Sequence, residues 1–467
     1  MRVKRVDHAE AASEFIASKE HVDFHDHRLW DLRKKRDRET ESIGEWEELR
    51  SIASAIKENT LSHLADYLEE FERNAIANGI QVHWAVDGDE HNEIVLDILR
   101  SRGAKTLVKA KSMLTEECEM RPYLERRGIT VMETDLAERI QQLDDEPPSH
   151  IVVPSVHKLR QDVAKVFART IGTDANNSDP HYLAESQRQD TRPYFVRAEA
   201  GMTGCNFAVA ETGSVVVCTN EGNADLSANL PPLFIASIGI EKLIPRVQDL
   251  GVFVRMLSRN ALGSPITQYT THLRAPRPGT EMHFVLVDNG RSERLGMKDF
   301  WYSLKCIRCG ACMNTCPVYR RSGGLSYGAT YSGPIGVIID PTFNLRKYSN
   351  LPFASTLNGS CTNVCPVKIN IHEQIYKWRQ VIAARGQLPF VKEQAMQAAG
   401  KVLASPKLYR AAVEGTNVAS THLPRFMMYS RFNAWGRQRE VPDAPTQTFR
   451  QWYVKNRGAK AKGKTKS

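Results

Sequence analysis

The residues of this 467-residue chain best suited to chemistry are six cysteines that fall close together. Four form the run CIRCGACMNTCP, in which the cysteines are separated by two, two and three residues and the last precedes proline. The other two lie in NGSCTNVCPV, which also ends in Cys-Pro. Thiolates are soft ligands, and this spacing brings several sulfurs around one metal centre. The six are Cys306, Cys309, Cys312, Cys316, Cys361 and Cys365.

The first run has the spacing of the bacterial ferredoxin motif that binds a [4Fe–4S] cluster. Gly310 lies inside it and allows the backbone to approach the cluster closely. A tetrahedral zinc site is the alternative, but such sites favour separated pairs of cysteines. The run therefore predicts an iron–sulfur cluster.

The fourth cysteine of such a run ligates the other cluster in two-cluster ferredoxins, so we assign Cys316 away from the first cluster. A remote Cys-Pro must then complete the first site, and Cys365-Pro366 supplies it. The predicted ligands of cluster 1 are Cys306, Cys309, Cys312 and Cys365.

The second run has fewer cysteines than the first. Read backward from Cys365, the same template requires cysteine at positions 361, 358 and 355, but the chain has Cys361, Asn358 and Ser355. A second cluster would have thiolates from Cys316 and Cys361 only, and oxygen ligands suit iron–sulfur clusters less well than sulfur. The open alternatives are a complete second [4Fe–4S] cluster, a labile or three-iron cluster, or none.

The elements that position these residues follow from the periodicity. QVHWAV, KTLVKA and ITVMET read as strands and alternate with helical segments, which predicts a largely parallel sheet. HIVVPSVHK, residues 150–158, is predicted as a further strand and turn, and residues 112–128 as one helix with Ser112 as its N-cap. The residues that recur on one helical face are Leu61, Leu64, Leu68, Phe71 and Ala75. Of the remaining thiols, Cys118, Cys205 and Cys218, the last two flank an apolar segment and are expected to be buried.

A candidate ligand site lies at the turns of this α/β region. Lys111 follows a predicted strand and could bind a carboxylate or phosphate. Glycine and asparagine around the strand in AETGSVVVCTNEGN leave backbone N–H groups free for an anion. The alternative is ordinary hairpin and helix-cap structure. The other candidates are Glu211, Thr212, Gly213, Asn220, Glu221, Gly222 and Asn223.

Composition is that of an ordinary globular protein, with 41% hydrophobic and 25% charged residues. The net charge of +9 raises the possibility of nucleic-acid binding, but much of the excess lies in the terminal segment VKNRGAKAKGKTKS, which reads as a disordered basic tail. We therefore do not favour nucleic acid as a partner. The chain has no 18-residue apolar run and no secretory signal pattern, so we expect a cytoplasmic protein without a membrane span.

Several longer segments carry a family resemblance: TGCNFAVAETGSVVVCTNEGN, VDNGRSE, PSHIVVPSVHK, FRQWY near the end, and the first cysteine run. Together they resemble the iron–sulfur protein B family of the bacterial lactate-utilisation system, over most of the chain. The resemblance implies a lactate-utilisation (LUD) domain with a parallel sheet like that of CoA transferases and sugar-phosphate isomerases. Family members usually carry cysteine where this chain has Asn358, and this departure bears directly on the second cluster.

The resemblance also implies an organisation and a function. We expect an N-terminal helical segment (1–60), a LUD domain (61–295), a helical ferredoxin-type 4Fe–4S domain (296–375) and a helical C-terminal extension with a disordered basic tail (376–467). The implied role is that of an iron–sulfur electron-transfer subunit, not necessarily catalytic itself. It would work with two other lactate-utilisation subunits, an iron–sulfur protein and a LUD-domain protein, in oxidising L-lactate to pyruvate. The electron acceptor stays open.

Two rival functions come from other classes of protein. One is a small-molecule transferase or isomerase in the α/β domain, with the cluster as an appendage. The other is a nucleic-acid-binding protein whose cluster is structural. The sequence has no Rossmann G-x-G-x-x-G, no P-loop and no G-x-S-x-G elbow, so nicotinamide or nucleoside-triphosphate chemistry is not indicated.

Overall fold

The computed structural model describes residues 4–429, 440, 445 and 447–457. The chain divides into two compact units, residues 1–385 and 386–467. Of the basic tail, residues 458–467 lie outside the described residues, so the prediction that the tail is disordered is not addressed.

A six-stranded parallel sheet is the centre of the first unit, in the order β1-β10-β7-β4-β2-β3. The two central strands, β7 and β4, are buried along their whole length, because helices cover both faces of a parallel sheet. This confirms the predicted α/β fold. The strands are β1 (Gln81–Ala85), β2 (Thr106–Lys109), β3 (Thr130–Glu133), β4 (Ala200–Thr203), β5 (Phe207–Val209), β6 (Ser214–Thr219), β7 (Leu233–Gly239), β8 (Leu243–Ile244), β9 (Tyr269–Leu273) and β10 (Glu281–Val287).

A second sheet has the order β8-β5-β6-β9, with β6 antiparallel to both of its neighbours. The tight turn between β5 and β6 passes through Gly213 at φ +60°. A Cβ there would lie 2.2 Å from the backbone nitrogen of Ala75, so only glycine allows this close approach.

Helices cover the sheets and precede them. The predicted apolar face from Leu61 to Ala75 is buried, although His63 interrupts the helix in the middle. The helices up to the cysteine-rich region are α1 (His8–Ala17), α2 (Lys19–Glu41), α3 (Trp46–Ser62), α4 (Leu64–Ala77), α5 (Gly88–Ser101), α6 (Met113–Glu117), α7 (Met120–Glu125), α8 (Leu136–Asp144), α9 (Arg160–Ile171), α10 (Pro180–Arg197), α11 (Asn223–Asn229), α12 (Val247–Leu262) and α13 (Arg291–Leu295).

The cysteine-rich region consists of short helices joined by tight loops. It packs against the N-terminal helices, since the imidazole Nδ1 of His25 in α2 lies 2.8 Å from the carbonyl oxygen of Arg320. The helices here are α14 (Ala311–Thr315), α15 (Pro317–Ser322), α16 (Gly333–Phe343), α17 (Leu345–Tyr348), α18 (Ser360–Asn363) and α19 (Ile371–Ala384). Short 3₁₀ helices cover Ala210–Thr212, Ile240–Lys242, Trp301–Lys305, Leu325–Tyr327 and Leu351–Phe353.

Two local predictions are wrong. Residues 150–158 form bends and turns rather than a strand, because the ring of His150 accepts hydrogen bonds from the N–H groups of Val152 and Val153. The single helix predicted over 112–128 is two helices, although Ser112 does cap the first. Pro122 has no N–H for the carbonyl of Cys118, which accepts instead from the side-chain amide of Asn92 at 2.6 Å.

The second unit is helical, as predicted for the C-terminal extension. Within the described residues no side chain of the first or last of its helices is buried. In the part of the chain that the structure describes, no helix is both long and apolar enough to cross a membrane. The helices are α20 (Phe390–Ala404), α21 (Pro406–His422), α22 (Arg425–Met428) and α23 (Phe449–Asn456).

Candidate iron–sulfur centre and adjoining cavity

The loop that carries the first three cysteines is built from unusual backbone conformations. Arg308 and Gly310 both have positive φ, at 60° and 75°, and turn the chain between Cys306 and the start of α14. A Cβ on Gly310 would lie 3.0 Å from Cε1 of His150, so this glycine lets the segment around His150 pack on the loop.

Four thiols surround one small cavity beneath this loop. Cys306, Cys309 and Cys312 line it together with Cys365, which comes from the turn after α18. Cys309, Cys312 and Cys365 are buried, and apolar side chains such as Ile307 and Ile335 close the remaining walls. In the described part of the chain, no group of three or more His, Cys, Asp or Glu side chains has the arrangement of a site for a single metal ion.

The chemistry of this donor set fits a cluster. Burial, together with the neighbouring sulfurs, raises the pKa of Cys312 far above its usual value, so four thiolates are stable here only beside a cation. Backbone N–H groups point at the sulfurs, from Arg308 to Cys306 Sγ at 3.4 Å and from Ile369 to Cys365 Sγ at 3.3 Å. Soft thiolates with N–H donors and an apolar wall are what iron–sulfur clusters require.

Two buried arginines of the N-terminal helices donate hydrogen bonds to the segment that carries Cys365. Arg50 of α3 donates to the carbonyl oxygen of Cys365 at 2.9 Å and to that of Asn363 at 2.8 Å. Arg36 of α2 donates to the carbonyl oxygen of Val364 at 3.2 Å. Sequence analysis missed both residues, because a lone arginine more than 300 positions from its partner has no signature in spacing.

The second cysteine run repeats the backbone of the first. Leu357 and Gly359 have positive φ, at 57° and 78°, where the first run has Arg308 and Gly310. The N–H of Leu357 donates to the hydroxyl of Ser355 at 3.1 Å, just as the N–H of Arg308 points at a thiol. Ser355 and Asn358 therefore occupy the places that Cys306 and Cys309 have in the first run.

The thiols available to a second cluster are Cys316 and Cys361, which are both buried and close enough to interact electrostatically. Asn358 is exposed, and its side-chain oxygen accepts from both the N–H and the hydroxyl of Ser360 at 3.1 Å. Its side chain therefore stabilises the turn that leads into α18.

A larger cavity of about 350 Å³ lies at the carboxyl ends of strands β2, β4 and β7. Of the candidate ligand residues, Lys111, Asn220, Glu221 and Asn223 line it. The ammonium group of Lys111 donates to the carbonyl of Val152 at 2.7 Å. Burial and the carboxylate of Asp135 raise the pKa of Glu221 to about 7. The structure therefore brings half of the candidates to one cavity.

The other candidates lie elsewhere. Glu211, Thr212 and Gly213 form the turn against α4, where the Asn74 side chain donates to the Glu211 carbonyl at 3.1 Å. Gly222 is the N-cap residue of α11 and is not among the cavity-lining residues. Cys205 and Cys218, expected to be buried, are half-buried and line the cavity, whereas Cys118 is part of the core.

Sequence analysis also missed a charged network at the cavity. Glu241 lies 2.5 Å from Nε of Arg291 and 3.5 Å from Nη2 of Arg308. Burial opposes ionisation of Glu241, but these cations outweigh it and hold the pKa of the carboxyl below its usual value. A Cβ on Gly239 would lie 2.3 Å from the Glu241 carboxylate, so the pair needs glycine at the end of β7. The signal in the sequence was the charged pair Glu241–Lys242 directly after an apolar strand.

Comparisons with known proteins agree with this architecture. Residues 68–293 match the family model of the LUD domain, and residues 302–369 match that of the 4Fe-4S dicluster domain. The predicted order of a LUD domain, an iron–sulfur domain and a helical C-terminal part is confirmed.

Curated relatives match nearly the whole chain. "Lactate utilization protein B" of Geobacillus kaustophilus (strain HTA426) is 43% identical over 429 residues, which cover 88% of this chain and 89% of the relative. The protein of the same name in Anoxybacillus flavithermus (strain DSM 21510 / WK1) is 42% identical over 443 residues, or 91% and 93% of the two chains.

One solved structure is also similar, the crystal structure of a DUF162 family protein from Deinococcus radiodurans. It covers 48% of this chain and 98% of its own, with 13% identity and a TM-score of 0.28, which is too low to bear on the fold.

Proposed function

Since the chain belongs to the lactate utilization protein B family, we propose that it is the iron–sulfur electron-transfer subunit of a complex that oxidises L-lactate to pyruvate. It has a 4Fe–4S domain, and its cofactor is a [4Fe–4S] cluster. The observation that supports the proposal most directly is the convergence of four thiols on one cavity, with N–H donors on two of the sulfurs.

In this proposal Cys306, Cys309, Cys312 and Cys365 hold the cluster. A bound [4Fe–4S] cluster would supply one-electron chemistry, so a chain that holds one could relay the two electrons of lactate only one after the other. The chain itself sets the environment. Arg50 contributes positive charge next to Cys365, and the apolar walls of the site exclude water. The positive charge and the apolar walls both affect the reduction potential of a bound cluster.

The organisation and partners expected from the sequence complete the proposal. The LUD domain would span residues 61–295 and the iron–sulfur domain residues 296–375. The chain would act in the cytoplasm with two further lactate-utilisation subunits, an iron–sulfur protein and a LUD-domain protein. These partners rest on family membership rather than on a contact surface.

Growth on L-lactate tests this function. We expect a strain without this protein and without any other lactate dehydrogenase to lose growth on L-lactate while it still grows on pyruvate. Wild-type chain supplied in trans should restore growth, and the Cys309→Ser chain should not. Undiminished growth on L-lactate in the deletion strain would rule out the proposed role.

A further inference from the structure

The 350 Å³ cavity lies between the α/β sheet and the loop of the first cysteine run. Its floor is the carboxyl edge of the parallel sheet, where ligands bind in open α/β folds. Its opposite wall includes Arg308 and Tyr331 of the cysteine-rich region. A volume of this order is typical of pockets for small molecules. The cavity therefore joins the two parts of the protein that the family models treat separately.

Lys242 brings a buried ammonium group to this cavity. The main charge that favours its ionised form is the neighbouring carboxylate of Glu241. That carboxylate is shared with Arg291 at 2.5 Å and Arg308 at 3.5 Å. Burial lowers the pKa of Lys242 more than Glu241 raises it, so a further anion beside the ammonium group would stabilise its charged form.

Several residues that line the cavity have a buried polar atom without a hydrogen-bond partner among the described residues. These atoms are Thr203 Oγ1, Asn223 Oδ1, Ser258 Oγ and Arg308 Nη1. Each buried polar atom left unpaired costs about 1–3 kcal/mol, so native proteins rarely tolerate four around one cavity. The set contains both donors and acceptors, which suits a ligand that carries an anionic group and hydroxyl or carbonyl groups.

We propose that this cavity binds a small metabolite through a carboxylate or phosphate group held by Lys242 and Arg308. The guanidinium carbon of Arg308 lies over the ring of Tyr331, 4.3 Å from the ring centre. This contact fixes the guanidinium group, and the unpaired Nη1 is its donor for the ligand. Lys242 supplies the second charge, so that the oxyanion is bound by two cations.

The same arginine connects the cavity to the cluster site. The backbone N–H of Arg308 donates to Cys306 Sγ at 3.4 Å, while its side chain faces the cavity. An anion bound at Arg308 partly cancels a positive charge near cluster 1, and this lowers the reduction potential of the cluster. Only this coupling rests on the proposed function. The binding itself does not.

Isothermal titration calorimetry on the anaerobically purified, cluster-loaded full-length protein tests the proposal. The probes are L-lactate, pyruvate and inorganic phosphate, in separate titrations against a chloride blank. We expect binding of at least one probe. The Lys242→Gln variant should weaken that binding by about tenfold or more, because it removes a charged hydrogen bond. Lys242→Arg should retain most of the binding, which a purely structural role for the side chain would not explain.

The matched control is Lys105→Gln. Lys105 is exposed at the opposite, amino-terminal edge of the same sheet, so this variant should bind the probes as the wild type does. Iron content and melting temperature of each variant show whether the fold and the cluster are intact. If the carboxylates bind and phosphate does not, the ligand is an organic acid, and the reverse result identifies a phosphorylated ligand. Absence of binding by all three probes, or equal binding by wild type and Lys242→Gln, would overturn the proposal, and the cavity would then hold water.

The growth experiment separates this inference from the proposed function. If the protein supports growth on L-lactate but no probe binds, the electron-transfer role stands and only the ligand proposal fails. If a probe binds but the protein is dispensable for growth on L-lactate, the electron-transfer role fails and the ligand proposal stands.

Discussion

At the scale of single residues, the cluster site depends on thiols that no neighbouring group can replace. Cys309 is buried, and burial raises the pKa of its thiol. A serine in its place would supply a harder and more basic oxygen ligand in the same apolar setting. The site therefore has little tolerance for the loss of a single sulfur.

We expect Cys309→Ser to lose most of the bound iron and the broad visible absorbance of the purified protein, because one corner of the cluster is left without a thiolate. Iron analysis and the absorption spectrum of anaerobically purified protein measure this. Cys218→Ser, which changes a half-buried thiol outside the cysteine-rich region, should keep both. Unchanged absorbance in Cys309→Ser would show that the assignment of ligands is wrong.

Asn358 gives the second prediction at this scale. The wild type should hold clearly fewer than the eight irons of two complete [4Fe–4S] clusters, since among the described residues Cys316 and Cys361 are the thiols placed for a second one. Asn358→Cys should raise the iron count toward eight and add spin coupling between two reduced clusters in EPR spectra.

The backbone is already suited to this change, because Gly359 has the positive φ that Gly310 has in the first run. Thr356→Cys, an exposed neighbour outside the template positions, is the control and should leave the iron count as it is. Eight irons in the wild type, with no change in Asn358→Cys, would mean that Asn358 or Ser355 binds iron through oxygen.

Single residues also show which parts of the site can be predicted from the sequence. Cysteines at fixed short spacing, and glycines between them, carry a local pattern that predicts the cluster loop. Arg36 and Arg50 carry none, because a single arginine is common on any surface. Their roles depend on contacts that cross the fold, such as the hydrogen bond from Arg50 to residue 365.

At the scale of elements, helices α2 and α3 act as a support for the cluster site. Their buried arginines donate to carbonyl groups in the turn before and at Cys365. The helices themselves were predictable from charge and periodicity, but their position was not. The segment 150–158 shows the opposite case, in which apolar residues suggested a strand and a histidine ring satisfied the backbone instead.

We expect Arg50→Gln to lower the reduction potential of cluster 1 by an amount on the order of tens of millivolts, because it removes a nearby buried positive charge. Iron content should be largely retained. Potentiometric EPR titration measures the shift, and Arg50→Lys, which keeps the charge, should restore part of it.

An exposed arginine on a neighbouring helix, Arg73 of α4, serves as the control for surface charge. Arg73→Gln should leave the potential unchanged. An equal shift in both variants, or none in Arg50→Gln, would show that the charge of Arg50 does not reach the cluster.

At the scale of the whole molecule, the N-terminal helices, the sheet and the cysteine-rich region form one compact unit of residues 1–385. Family membership and the alternation of strands and helices predicted the parts of this unit. Its internal arrangement was not predictable, since the contacts that join the parts link residues hundreds of positions apart. One result of this arrangement is that Arg308 belongs to two sites. Its side chain lines the cavity, and its backbone N–H points at the sulfur of Cys306 in the cluster site.

The central claim is that the chain carries a cluster that relays electrons from lactate, and one measurement tests it most directly. Anaerobically purified full-length protein is titrated potentiometrically and followed by EPR, and is then mixed with L-lactate in the presence and absence of the two other subunits. We expect a signal that appears and disappears reversibly, and that L-lactate generates only when those subunits are present. A cluster that stays silent or is lost on cycling, or one that lactate cannot reduce in the complete mixture, would contradict the electron-transfer role.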